Sequence, residues 1–573
     1  MVVAVAVLAA VSQRPALASG VVGTGAPASC TKASLYAALA GGGSVTFNCG
    51  ASPVTITVTS QKAIAADTRI DGGNLITLSG GGTTSIFTVN GGVTLTVVNL
   101  AVTGGYDILV GAITNAGTLN VTNSTFSDNS SVGAILNTGG TLNVANSMFS
   151  DNSTVVNYSA GAIVNTGGTL NVASSTFSGN GTVMGGSVGA IYNKVGVLTV
   201  TGSTFSANVG AIYNAAGGSL TVTNSTLSGN TGGAIVNTGG TLNVTDSTFS
   251  DNTPGGAIIS TDGTLNVTNS TFSGNTAAYT AGGAGSGGAI YNHGGTATVT
   301  GSTFDGNSAT VGGAICNGCS AFGVPGGGTL DVTNSTFSGN VCSGRGGYGG
   351  AIYNNDAGTL TVTNGTFWKN SQNAIHTQEG GTVIVTNAIV ADGCSGAITD
   401  GGHNLDSGTS CRFSSANGSF SKTNPLLDPA GLASNGGPTQ TIALCTGTGA
   451  PSAGCTGASP AINAGDESVC STTTGTVPVN NLDQRGYVRP GDGATSCSIG
   501  AYEYNSPGPP ASCLGDCNSD RQVTVDEILT MVNIALGNTP VTACEAGDAN
   551  HDGEITVDEI LTAVNNALNG CTK

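Results

Sequence analysis

The sequence has 573 residues, with 94 Gly and only 8% charged residues, where soluble domains average about 7% Gly and 25% charge. Thirteen Lys and Arg against 31 Asp and Glu leave a net charge of −18, too few bases for a groove that tracks phosphates, which argues against nucleic acid as a partner. The aliphatic content is too high for a disordered chain, and no apolar run reaches the roughly 18 residues of a transmembrane helix.

Residues 1–18 read as a signal peptide: residues 1–11 are apolar, and Ala16-Leu17-Ala18 before Ser19 is an A-x-A cleavage signal. Fifteen cysteines fit a secreted or cell-surface protein, because disulfides persist in oxidising compartments. The odd count leaves at least one thiol unpaired or paired between chains. Sequence-local pairings are Cys30 with Cys49, Cys394 with Cys411, Cys445 with Cys455 and Cys470 with Cys497. Cys316-Asn317-Gly318-Cys319 has no second such pair or His cluster beside it, so it reads as a loop staple near Cys342 rather than a zinc site. Residues 19–104 form an N-terminal cap and the first strands. Within them, residues 31–39 carry a short helical pattern, a lid over the open core.

Residues 105–395 repeat. A Phe-x-x-Asn element recurs at Phe126, Phe149, Phe177, Phe205, Phe249, Phe272, Phe304, Phe337 and Phe367, with Leu227 substituting once. A Gly-Ala-Ile element recurs from Ala112 to Ala351. Between them run stretches such as Thr118-Leu119-Asn120-Val121-Thr122, which alternate as strands do, and pairs such as Gly139-Gly140 mark turns. A minimum period of 22 residues is one coil of a parallel β-helix. Coils stack at about 4.8 Å, so a dozen make a rod near 60 Å. Gly, Thr, Ser and Asn are poor helix formers, which excludes helical repeats. Asn follows the Phe position by three in every copy, from Asn129 to Asn370, and follows the Ala by three in most, from Asn115 to Asn354. Stacking sets these amides one above another in hydrogen-bonded ladders, so both sets read as structural.

The paired GGAI and FxxN elements resemble the repeats of chlamydial polymorphic outer-membrane proteins. That resemblance covers residues 105–390 and implies a right-handed parallel β-helix with an adhesin-like role. The fold class expected is all-β, a right-handed parallel β-helix of pectin-lyase-like form, with a small α-helical calcium-binding domain behind it.

The distance from a Phe position to the next Ala varies from 6 to 17 residues, while the return distance is nearly constant. Nearly all length variation therefore falls in one loop, on one side of the rod, and such insertions often mark a binding face. Its longest copies, residues 276–287 and 341–349, carry Tyr279, Arg345 and Tyr348, types enriched at binding hot spots. With Trp368, the one Trp and a residue type that stacks on sugars, they are the candidate contacts for a carbohydrate or cell-surface ligand.

Residues 396–505 lose the repeat. Asp483-Gln484-Arg485-Gly486 and Gly500-Ala501-Tyr502-Glu503-Tyr504 resemble the C-terminal region of bacterial secreted β-helix proteins grouped as choice-of-anchor domains, which implies surface display rather than a reaction. Residues 506–512 read as a linker. In residues 513–573, six Asp and four Glu meet only Arg521 and Lys573. Asp516, Asn518, Asp520, Gln522, Thr524 and Glu527 take positions 1, 3, 5, 7, 9 and 12 of an EF-hand loop, and Asp548, Asn550, Asp552, Glu554, Thr556 and Glu559 repeat the pattern. Calcium takes six to eight oxygens, and this spacing curls them around one point. Each loop runs into an apolar-periodic helix. Two loops each followed by one helix resemble a type I dockerin, which implies a cohesin-type partner. Arg521 stands where the loop expects Gly, and Glu527 and Glu559 stand where dockerins usually carry Asp.

Parallel β-helices also carry pectate lyases and polygalacturonases. Between residues 105 and 390 the bases are Lys194, Arg345 and Lys369, on different coils. Asp128 and Asp151 fall one coil apart, a retaining-glycosidase spacing, but read as solvated loop residues, and Gly402-His403-Asn404 reads as a turn. The sequence thus points to a secreted or cell-surface β-helix, adhesin-like or structural, attached through a calcium-loaded dockerin-like tail. The alternative is a polysaccharide-active enzyme, a lyase or glycoside hydrolase, on the same scaffold. A cleft of clustered acids and bases would favour the alternative.

Overall fold

The computed structural model describes residues 20–107, 110–154, 159–182, 189–278, 285–319, 326–344, 348–355, 357–378, 380–473, 478–506, 508, 513–517, 523–549 and 553–569. Alternation of Val, Leu and Ile with Thr and Asn makes short strands, and every coil lays its strands parallel on the last. In one coil, Ile135–Thr138 pairs with Ile113–Asn115 before it and Ile163–Thr166 after it. Thr141–Ala145 lies between Thr118–Thr122 and Thr169–Ala173, and Met148–Ser150 between Thr125–Ser127 and Thr176–Ser178. The result is an all-β right-handed parallel β-helix of about fourteen turns, in which the Gly-Ala-Ile strands lie in one 14-stranded ladder with the strands of the flanking coils. The coils run past residue 395, where the sequence pattern fades: Thr399–Asp400 and Leu405–Asp406 still pair in register with the coil before them. Among the described residues no helix is long and apolar enough to cross a membrane.

The interior is built from identical rows. Phe126, Phe149, Phe177 and Phe205 stack with ring centroids 4.7–4.9 Å apart, and Phe249 to Phe367 do the same beyond Leu227. Beside them the Asn amides form the expected ladder. Asn230 Nδ2 donates to Asn252 Oδ1 at 3.0 Å and to the Phe205 carbonyl at 3.0 Å, while its Oδ1 accepts from the Asn208 amide and backbone N–H. This row runs from Asn129 to Asn370 and ends on the carboxylate of Asp392. The second ladder, from Asn115, is interrupted where Ser260 replaces Asn, and the buried Asn292 Oδ1 just beyond it has no partner. A third row was not expected. Ser124 accepts the Leu100 N–H, Ser147, Ser175 and their successors each accept the backbone N–H of the preceding coil's Ser, and all donate to a Thr or Ala carbonyl two residues back.

Three corners per coil take a left-handed backbone, which Gly, Asn and Asp tolerate best, one of them at the first residue of the Gly-Gly turn, as at Gly139 and Gly167. Asn123, Asn146, Ser174 and Gly202 hold the second; Asp128, Asp151, Gly179 and Ala207 hold the third. The second Gly of each Gly-Gly turn has a different reason: a Cβ on Gly168 would sit 2.4 Å from Asn137 Nδ2, inside the ladder.

Both ends of the rod are closed. The helix Lys32–Ala38, with a Thr31/Ser34 capping box, buries Leu35 over the first coils, beside the Cys30–Cys49 disulfide. The other three sequence-local disulfides also form, Cys316 bonds Cys319, and Cys342 is a buried free thiol. After the last coil the chain folds back along the side of the rod. Thr439 Oγ1 donates to the Gly301 carbonyl at 2.8 Å, Gln484 joins Thr303 and Thr336, Asn334 donates to the Leu482 carbonyl, and Ala501 N–H donates to Thr366 Oγ1. Thr303, Thr336 and Thr366 are buried there, while their counterparts Thr204, Thr226 and Thr248 are exposed. This clasp is held by two buried ion pairs, Arg485–Asp483 at 2.7 Å and Arg489–Glu503 at 3.2 Å. Further guanidinium contacts go to backbone carbonyls, including those of Ser498, Gly500 and Glu503. Arg485 lies between the rings of Tyr487 and Tyr502. Such burial is tolerable only when the charges are paired and hydrogen-bonded. Farther on, the helices Val525–Ala535 and Val557–Asn569 pack through Met531 and Ala563, with a Cys517–Cys544 disulfide.

Asn230→Ala removes five hydrogen bonds from the middle of the ladder and takes the acceptor from the Asn208 amide and backbone N–H, at about 1–3 kcal/mol per buried group. Denaturant unfolding should show a loss at the upper end of that range or beyond. Thr245→Ala, on the solvated side of the same coil, should change stability by under about 0.5 kcal/mol. Equal stability of Asn230→Ala and the parent would contradict the ladder's role.

Candidate functional site

The position after the buried Ile of each Gly-Ala-Ile strand points out of the coil interior, is half-buried or buried under the neighbouring loops, and departs from the Thr, Ser and Asn of the other outward rows. In register it runs Leu136, Val164, Tyr192, Tyr213, Val236, Ile259, Tyr291, Cys316, Tyr353 and His376. The row comes directly after the variable loops. Toward the C-terminal end the rings cluster. His376 stacks on Tyr353 with centroids 5.4 Å apart, and Tyr348 meets both edge-on at 5.4 and 5.9 Å. Tyr353 is buried and donates to Gln378 and Asn355, whereas Tyr348 is 36% exposed. His376 Nδ1 is buried and has no hydrogen-bond partner, and burial holds the imidazole below its ordinary pKa. Nearer the middle of the rod, Tyr291 donates to the Cys319 carbonyl at 2.9 Å, and burial pushes its phenol up to about 12. Tyr192 and Tyr213 form a separate pair at 5.5 Å.

The sequence-predicted ligand contacts do not all meet. Tyr348 belongs to this ring cluster. Trp368 lies on a different side, on the strand Thr366–Trp368, where it packs against the core of the clasp with the Lys369 ammonium 3.7 Å above its ring. It is a packing residue because the returning chain covers it at Gly431. Tyr279 and Arg345 lie outside the described residues. Asp128 and Asp151 are corner residues with φ of 54° and 55°, at a position other coils fill with Gly179 or Ala207, so backbone shape selects them. His403 is also a left-handed turn residue, its Nδ1 2.9 Å from the Ala464 carbonyl.

In the tail, Asp516, Glu527, Asp548 and Glu559 are each 6–7% exposed. Glu527 accepts from the Thr524 N–H and hydroxyl, and Glu559 from those of Thr556. The other Glu559 oxygen accepts from the Ala549 N–H at 2.8 Å, which brings the end of the second loop back to its beginning at Asp548. Asp548 in turn accepts from the Gly553 N–H. Glu554 precedes Thr556 at the loop's exit. Asn518, Asp520, Gln522, Asn550 and Asp552 lie outside the described residues.

A further group went unread in the sequence because it precedes the repeat. Arg69 and Asp71 alternate along the strand Thr68–Thr84, and Asp67, the residue just before it, continues the same alternation, so all three face outward. Arg69 pairs with Asp71 at 3.0 Å, and Asp71 also accepts from the Gly73 N–H and Asn99 Nδ2. Those bonds and the adjacent guanidinium outweigh desolvation and hold the Asp71 carboxyl below its ordinary pKa. A groove of about 360 Å³ is lined by Ser44, Asp67, Arg69, Thr94 and Thr96, and another of about 220 Å³ opens beyond Asp71 against Cys49. Asp67 and Asp71 are four strand positions apart, about 13 Å, too far for the paired carboxylates of a glycosidase, which lie about 5–9.5 Å apart.

The chain matches the family described as the right handed beta helix region over residues 210–392. No curated protein matches it. Among solved structures it is similar to the alginate lyase AlyF-OU02 in complex with G6, with a TM-score of 0.40 and 14% identity over 65% of this chain and 89% of that one. It is also similar to a PL6 alginate lyase in complex with a trisaccharide, with a TM-score of 0.41 and 12% identity over 72% of this chain and 88% of that one. At this level of similarity neither carries an argument about the ligand of this chain.

Because burial lowers the pKa of His376 below the ordinary value of about 6.5, the unfolded chain binds the proton more readily than the folded one. Stability should be full above that ordinary value and fall as the pH drops from it toward the folded pKa. Between pH 7.5 and about 4.5, the melting temperature of His376→Phe should fall less steeply than that of the parent. An unchanged pH dependence in His376→Phe would contradict the assignment.

Proposed function

We propose that the protein is a secreted or cell-surface binding rod. Its loop-side rings engage a carbohydrate or other cell-surface ligand, and its acidic tail, loaded with calcium, attaches it to a cohesin-type protein. The observation that carries this reading is the Tyr348–Tyr353–His376 cluster, in which Tyr353 and His376 belong to the aromatic and aliphatic row and Tyr348 joins them from the variable loop. Aromatic side chains offer a large contact area at little entropic cost, and their polar tips add direction. Aromatic-lined sites with a few converging polar groups are the usual form of small-ligand pockets, and Asn355 and Gln378 supply such groups here. Tyr348→Ala and His376→Ala should each weaken binding to the best ligand on an array of glycans and cell-wall polymers by about tenfold or more. Binding that survives both substitutions would exclude this face.

For the tail, the donor set fits calcium: all side-chain ligands are oxygens, and Asp516, Glu527, Asp548 and Glu559 are buried carboxylates, whose burial a divalent cation compensates. With Asn518, Asp520, Thr524, Asn550, Asp552 and Thr556, and with carbonyls at Gln522 and Glu554, they would hold two ions. The ions would supply charge neutralisation and loop order, not a reaction. Val525, Leu529 and Leu536 are exposed on one helix, and Val557, Leu561 and Leu568 recur 32 residues later on the other, a duplicated apolar face suited to a protein partner. In the full chain, calorimetric titration should find two calcium ions and Glu559→Ala only one, with the loop containing Arg521 the weaker. Chelator should lower the helical signal by the share due to these two helices. An equal signal in calcium and in chelator would remove calcium from the proposal.

One observation favours the second reading, a polysaccharide-active enzyme: a neutral imidazole beside a solvent-reaching phenol is suited to moving a proton. Assays for reducing ends and unsaturated products on a panel of polysaccharides decide it. Release that disappears in both His376→Ala and Tyr348→Phe would establish catalysis, and no release would leave the binding reading alone.

A further inference from the structure

We propose that the groove at Asp67 and Arg69, bordered by Asp71, is a second binding site, distinct from the loop-side rings, and that it takes a neutral, hydroxyl-rich glycan. The groove carries the densest charge on its side of the rod. In register, the row that begins with Ser44 and Arg69 continues as Thr96, Asn120 and Asn143, without charge. Arg69 is half exposed. Asp71 grips one edge of its guanidinium and is itself fixed by Gly73 and Asn99, so the fork is oriented before any ligand arrives. Asp67 is likewise held, its Oδ1 accepting the Thr94 N–H at 2.9 Å. The side chain of Arg69 and the hydroxyls of Ser44, Thr94 and Thr96 line the same cavity. At about 360 Å³ it falls within the range of small-ligand sites, about 300–1,000 Å³.

Charge selects among possible ligands. Arg69 is neutralised by Asp71, Asp67 adds a negative charge on the same strand, and the whole chain carries −18. A uronate or sulfated sugar would meet net repulsion. A neutral sugar would not: its adjacent hydroxyls can donate to a carboxylate and accept from a guanidinium. A chain longer than the groove continues onto the Thr96, Asn120 and Asn143 row. There Asn143 Nδ2 donates to Asn120 Oδ1 at 2.8 Å and fixes both amides, while the neighbouring Thr118 and Thr122 present hydroxyls on either side.

The full-length protein is run in native gels containing galactomannan, xyloglucan or mixed-linkage β-glucan, with alginate and polygalacturonate as the acidic arm. At least one neutral polymer should retard the parent, with little change on added salt. Arg69→Gln should weaken that retardation by about tenfold or more, the scale of a charge-assisted hydrogen bond. Arg69→Lys, which keeps the charge but loses the fork, should also weaken it, and Thr204→Ala, on an exposed coil face outside both sites, should not. Melting curves matching the parent establish that these half-exposed substitutions leave the fold intact. Retardation by none of the neutral polymers overturns the proposal. So does equal retardation of parent and Arg69→Gln, or retardation by the acidic polymers alone. Loss in Tyr348→Ala with none in Arg69→Gln would assign the binding to the ring cluster and leave the groove without a role.

Discussion

Each Asn of the inner ladder is satisfied only by its neighbours: it gives one hydrogen bond to the coil behind and one to the coil ahead, and takes two back. No coil closes its own polar accounts. This makes the rod a one-dimensional array in which stability is passed between adjacent units, and the other rows inherit the same register. The Phe rings can stack at 4.7–4.9 Å only because the coils below them are in phase. The Ser row depends on the same phase. The ends therefore need special residues: a helix with Leu35 at one end, and Asp392, whose carboxylate accepts the last Asn, at the other.

The same repetition explains the poverty of charge. A charged side chain kept at one register would stand about 4.8 Å from its copy on the next coil, costing roughly 1 kcal/mol per pair even in water. Thr, Ser and Asn carry no such penalty and hydrogen-bond along the rod, as Asn143 does with Asn120. Most charges on the coils stand alone in their row, such as Asp331 in a row of Thr and Asn, and the pair Asp128 and Asp151 on consecutive coils occurs where the left-handed corner selects Asp. Departures from a row are consequently where chemistry can be sought. The aromatic row behind the variable loops is one departure, and the charged strand at Asp67–Asp71 is another.

Much of this is legible in the sequence. The spacing of Phe126, Phe149 and their successors defines the coil, and the Asn positions three residues on define the ladder, because both are periodic. The Ser row is equally periodic, but Ser124-Thr125 is indistinguishable by composition from a solvated strand, and only burial separates it. The aromatic row is visible in the residue after each Gly-Ala-Ile. Loop length points instead to residues 276–287 and 341–349, of which Tyr348 alone joins the ring cluster among the described residues. The clasp is beyond reach for a different reason. Gln484 meets Thr303 across 181 residues, and nothing local to Asp483-Gln484-Arg485-Gly486 names its partner. Trp368 escapes for the same reason, since its cover, at Gly431, arrives from outside the repeat.

The returning segment also decides how the rod responds to being pulled. The described chain is bonded into the clasp as far as Gly508: the Ser506 hydroxyl donates to the Val488 carbonyl, and the Val488 N–H donates to the Gly508 carbonyl. From there its hydrogen bonds are spread over successive coils at Gly301, Asn334, Thr366 and Asn387. Tension entering from the C-terminal side is therefore borne in shear by several coils at once, instead of peeling the final coil away bond by bond. Bonds arranged this way yield late and together, not one after another.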